Sequence, residues 1–227
     1  MDAGPNVEKL IRETKRYEFA DGLRDLQMAV VWAAMGVTTW FVFERAEVWF
    51  PFVLRLADAV GRWARWTSML LVFVPAILAF GALALVAYAR RRWLWRESGW
   101  VRPLRQMVPR QAAVISTAIG LGIILLGFVL YRLGVAGEMF ALRMLVLAAH
   151  WMTAYTMIAL GRHLDLPRYV WLGVIGGLVS TPMPFLPLTF GQTWLAFGIW
   201  WGLVLAASGV VTLRHRLIAM REVGGDG

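Results

Sequence analysis

Residues Ala112–Tyr131 read AAVISTAIGLGIILLGFVLY, an unbroken run without a charge or a proline. As a helix it rises about 30 Å, the thickness of a bilayer's hydrocarbon core. Such a run reads as a membrane span, and the rest of the chain repeats it. Leu26–Phe43 and Thr67–Ala89 precede it, and Met139–Leu160, Tyr169–Leu188 and Trp194–Leu213 follow it. The composition agrees: 59% of the 227 residues are hydrophobic and only 16% are charged, against about 45–50% and 25% in soluble domains. Mean hydropathy is +0.62. The pattern excludes a water-soluble globule and a disordered chain. It predicts an all-α integral membrane protein: a bundle of six transmembrane helices with two interfacial amphipathic helices.

The domain plan follows: 1–25 is a cytoplasmic amphipathic segment, 26–213 the six-helix membrane domain, and 214–227 a cytoplasmic tail. No apolar stretch follows Met1 closely enough to serve as a signal peptide, so the first span is expected to drive insertion. The fifth run is the weakest. Pro182, Pro184 and Pro187 interrupt its far end, so helix is expected only from about Pro167 to Ser180. Thr181–Gln192 is then either re-entrant irregular backbone or an external loop.

Orientation comes from the basic residues. Of 23 Lys and Arg, 17 fall in segments sharing a side with the termini, five fall on the other side, and Arg143 lies within a span. The positive-inside rule then places both termini in the cytoplasm and the protein in the cell's inner membrane as a multi-pass chain. The first outer loop holds four of the five discordant arginines. There Val53, Leu56, Ala57, Val60 and Trp63 recur at helical spacing opposite Arg55, Asp58, Arg62 and Arg65. We read Pro51–Arg65 as a helix lying in the outer interface, with Pro51 at its first position. Near the start of the chain, Val7, Leu10, Ile11 and Tyr17 form a thin apolar stripe beside Lys9, Arg12 and Arg16. That segment suits the inner membrane surface or a cytoplasmic partner protein.

The stretch Arg16-Tyr17-Glu18-Phe19-Ala20-Asp21-Gly22-Leu23 resembles a segment that precedes the first span in some uncharacterised bacterial polytopic membrane proteins. The resemblance covers about eight residues and carries no function over to this chain.

Several chemistries are excluded by what is missing. The chain has no cysteine, so disulfides, CxxC redox sites and thiolate metal sites are ruled out. No HExxH, GxSxG or P-loop pattern occurs, and the six runs contain no Asp or Glu. No cofactor, no metal and no catalytic residue is expected. Arg90–Arg110 interleaves seven arginines with Trp93, Trp95 and Trp100. Between two spans this reads as contact with anionic headgroups or a cytoplasmic protein, not nucleic acid.

Within the spans, His150 stands out, close to the bilayer midplane, with Arg143 and Thr153 on nearly the same face. Ionisable residues at that depth are candidates for a ligand or proton pathway. A charge there costs a few kcal/mol or more, so His150 is expected to be neutral, inward-facing and bonded to a hydroxyl or carbonyl of a neighbouring helix. Ala112, Ser116 and Gly120, then Gly173 and Gly177, then Gly198, Gly202 and Ala206 form rows of small residues that let membrane helices approach closely. These rows serve packing within the chain or a homodimer. The expected role is a non-catalytic ligand-binding or accessory membrane subunit. The alternative is a transport permease of export-type layout working with a cytoplasmic ATPase.

Overall fold

The computed structural model describes residues 22–61 and 110–224, together with Gly81, Ala84, Leu85 and Tyr88. The N-terminal amphipathic segment, almost all of the second span, the loop up to Pro109 and Arg62–Arg65 lie outside the described residues. Among the described residues, six α-helices and one 3-10 turn form, and no strand. They are α1 (Leu23–Glu44), α2 (Ala46–Val60), α3 (Arg110–Arg132), α4 (Glu138–Leu164), α5 (Pro167–Ser180) and α6 (Phe190–Gly224), with the 3-10 turn Met183–Phe185 between the last two.

Four of these helices are long and apolar enough to cross a membrane: α1, α3, α4 and the Phe190–His215 part of α6. Their outward faces carry Val37, Phe41, Leu121, Leu125, Phe128, Leu203 and Val210, all exposed. So many exposed large apolar side chains among the described residues are foreign to a soluble monomer. The chain is thus an all-helical, membrane-associated protein. α5 is shorter, at 14 residues or about 21 Å, and it stops where the three prolines begin.

α4 is the central helix, with more buried residues than any other described helix. α3 joins it through the short turn Leu133–Gly137, which forces an antiparallel pair. Ser116 Oγ reaches Met152 O at 3.1 Å, and Gly120 and Gly127 make room for Met152 and Met144. On α4's other side, Gly173 lies on the backbone of Ala154 and Gly177 on the Trp151 ring. α1 and α6 form the second antiparallel pair. A Cβ on Gly36 would stand 2.7 Å from Gly198 Cα, and Gly202 packs on Ala29 and Ala33. Gly22, held at φ 76, lies against Gly209. Each glycine named in the sequence rows thus faces another helix of the same chain. Met157, Leu160, Tyr169, Phe197, Trp201 and Leu205 fill the core between the pairs.

Three element bounds differ from the sequence expectation. α1 starts at Leu23 and ends at Glu44, taking in an acid near each end. α2 starts at Ala46, which puts Pro51 inside the helix rather than at its head. α6 runs on past Leu213 to Gly224, so most of the expected tail continues the last helix.

Candidate functional site

α4 carries His150 near its middle, about 18 Å along the helix from Glu138, and the ring is fully buried. Trp201 of α6 donates its indole N–H to His150 Nδ1 at 3.0 Å. An atom that accepts here holds no proton, so the neutral ring carries its hydrogen on Nε2. That Nε2 is buried without a hydrogen-bond partner among the described residues. Phe197 sets its edge against the imidazole, with centroids 4.3 Å apart and planes at 80°. Phe197 in turn meets Trp32 and Trp194 edge-on, at 4.9 and 5.3 Å. The Trp201 ring needs Gly176 on α5, because a Cβ there would overlap it. His150 is therefore inward-facing, as the sequence suggested, but its partner is an indole donor instead of a hydroxyl or carbonyl.

The two residues grouped with His150 have separate partners. Arg143 donates from Nη1 to Pro184 O at 3.1 Å and so ties α4 to the 3-10 turn. Phe140 and Phe185 add a ring contact at 5.5 Å beside it. Thr153 donates back to Ala149 O within its own helix at 2.8 Å. The structure places the three along one helix without joining them into a single set of ligands.

A second buried polar centre lies at the start of α1, and the sequence reading missed it. Asp25 is fully buried. Tyr169 of α5 donates its hydroxyl to one carboxylate oxygen, and Ser208 of α6 donates to the other at 2.8 Å. Arg168 stands 3.6 Å from the latter oxygen, bonds to Thr212, and stacks over the Tyr169 ring at 5.0 Å. The sequence reading closed the N-terminal segment at residue 25, so the acid fell outside the first span. A helical phase count held the missing signal. Asp25, Ala29, Trp32 and Gly36 share one face, the face that packs on α6. At the opposite end of α1, Glu44 accepts from the Thr189 hydroxyl and lies against Gly191.

The two centres are distinct. Trp201 and Ser208 are about 10 Å apart along α6, and the buried side chains of Met157, Leu160 and Leu205 lie in the core with them. A groove of about 300 Å³ runs between α1 and α6, bordered by Ala29, Ala33, Ile199, Gly202 and Leu203. By helical phase it lies on the side of α6 away from Phe197 and Trp201, so it does not lead to His150. Among the described residues, no group of three His, Asp or Glu is placed to hold a metal ion. Chemically, the Asp25 centre is a clamp across three helices in which both carboxylate oxygens accept hydrogen bonds. The His150 centre is a clamp with one unused donor. No protein-family model, curated protein or solved structure matches the chain.

Proposed function

We propose that the protein is a non-catalytic, multi-pass subunit of the cell's inner membrane that binds a ligand or a partner protein within the bilayer. The His150 Nε2–H, buried at mid-helix without an acceptor among the described residues, carries this reading. In hydrocarbon an unsatisfied donor costs several kcal/mol, and an acceptor supplied from outside the chain removes that cost. Asp25, Ser116, Thr153 and Thr193 of the core have partners, whereas the indole N–H groups of Trp194 and Trp200, packed against the same core, are like His150 Nε2 buried without one among the described residues. Catalysis finds no support in such a set, because it offers no activated nucleophile and no paired acid and base.

Purification of the full chain in mild detergent, with mass spectrometry of what accompanies it, tests the reading. A small molecule or protein retained by the wild type and by His150→Gln, but lost from a folded His150→Leu, supports it. Identical companions in all three variants would sink it. A transport permease is the second reading. The non-helical stretch between α5 and α6, held from within by Arg143, favours it, since irregular backbone at membrane depth borders pathways or protein. A co-purifying ATPase would decide for the permease.

A further inference from the structure

We infer that the helix ends around Asp25 form a binding rim for anionic phospholipid headgroups, built from arginines of five different helices. The packing fixes which residues share that level. Asp25 meets Arg168 and Ser208, which sets the starts of α1 and α5 beside the far part of α6. Arg168 also reaches Thr212, two residues before Arg214. Ser116 faces Met152 and Thr156, so the antiparallel register of α3 and α4 brings Arg110 level with Arg162. The rim therefore holds Arg24, Arg110, Arg162, Arg168 and Arg214, against Asp25 and Asp165.

The described acids do not cancel this charge. Asp25 is buried and balanced internally by Arg168, leaving Asp165, and Glu222 further along α6, as the other acids of this end among the described residues. Arg110, Arg162 and Arg214 are exposed. The opposite helix ends are not basic among the described residues: Glu44, Glu47, Asp58 and Glu138 stand against Arg45, Arg55 and Arg132, and Arg45 is paired with Glu47 at 3.7 Å.

The occupant follows from what adjoins the arginines. Within about one helical turn of them, the surface turns apolar at Val114, Trp171 and Val211, all exposed. A partner with a phosphate at the level of the guanidinium groups and hydrocarbon directly beyond it fits both zones. A diacyl phospholipid with a net negative headgroup has that layout, and a nucleic acid has no counterpart to the apolar zone. Each guanidinium near such a surface contributes to attraction for anionic lipid, and salt screens the effect. This inference needs the apolar belt to face lipid. It does not need a ligand at His150, so either can fail alone.

Electron spin resonance on the full chain in phosphatidylcholine bilayers tests it, with trace spin-labelled phosphatidylglycerol compared with spin-labelled phosphatidylcholine. We expect the protein's first lipid shell to favour phosphatidylglycerol by about fivefold, and the preference to shrink toward unity in about 1 M NaCl. Arg110→Gln, Arg162→Gln and Arg214→Gln together should lower it about threefold or more, whereas lysine at the same positions should keep it. Arg45→Gln with Arg132→Gln at the other end should leave it unchanged. Circular dichroism confirms that each variant retains its helices. Equal affinity of the wild type for both lipids overturns the proposal. So does an undiminished preference in the triple glutamine variant, or an equal loss in the opposite-end variant. Release of the labelled lipid by a short DNA duplex would also overturn it, marking the rim as a nucleic-acid surface.

Discussion

At the residue scale, two side chains do work that their spans do not advertise. His150 accepts the Trp201 indole N–H. His150→Leu therefore orphans an indole N–H, and we expect a loss of about 1–2 kcal/mol. His150→Gln keeps an acceptor and should lose less. The double variant His150→Leu with Trp201→Phe should cost less than the sum of the single changes, because it removes both halves of the bond. Unfolding of the detergent-solubilised variants reads this coupling, and strict additivity would show that the bond contributes nothing. Asp25 is the sharper case. Asp25→Leu strips Arg168, Tyr169 and Ser208 of a shared partner, and breaking one side of a buried pair costs about 3–5 kcal/mol. Asp25→Asn, which still accepts hydrogen bonds, should fall between that and the wild type. Equal stability of Asp25→Leu and the wild type would contradict the clamp. Neither partnership was legible in the sequence. Tyr169 and Ser208 lie 144 and 183 residues from Asp25, and Trp201 lies 51 from His150. No periodicity links positions that far apart. That His150 turns inward was legible, because hydrocarbon penalises a polar ring left on the lipid face.

At the scale of elements, the small-residue positions decide how closely helices approach. Gly36 and Gly198 bring the α1 and α6 backbones together. Gly36→Leu or Gly198→Leu should force them apart, at a cost of at least about 1–3 kcal/mol. Gly122→Leu, at a position where an added Cβ meets nothing within 4 Å, serves as the control and should be nearly neutral. Equal losses at all three sites would mean that close contact at Gly36 and Gly198 does not set the cost, because the gain in helix propensity on replacing glycine by leucine is common to all three. The α6 row was readable from its spacing. Its partner row on α1, Ala29, Ala33 and Gly36, was not, since nothing in the spacing says which helix a row will meet. The end of α5 was readable, because clustered prolines remove N–H donors and clash with the preceding turn. The start of α2 was not. Pro51 suits a first position, but it also fits inside Ala46–Val60, where the missing bond is the one to Glu47's carbonyl. We propose that α2 lies in the outer interface. Phe50, Phe52 and Leu54 are exposed on it and would enter the acyl region. A nitroxide at Phe52 should then be relaxed by oxygen and shielded from a water-soluble relaxant. Accessibility matching bulk water would contradict that placement.

At the scale of the whole molecule, apolar run length fixed most of the reading. Leu26–Phe43, Ala112–Tyr131, Met139–Leu160 and Trp194–Leu213 each fall within a helix able to span the membrane. We propose that these helices thread the bilayer as parts of a six-span chain, with the Asp25 end in the cytoplasm. The absence of cysteine gives that claim a clean test, because single cysteines can be introduced one at a time. In intact cells, a membrane-impermeant thiol reagent should label Ser68→Cys and Gln192→Cys and should spare Ser98→Cys until the membrane is permeabilised. Labelling of Ser98→Cys in intact cells, with Gln192→Cys protected, would contradict the orientation.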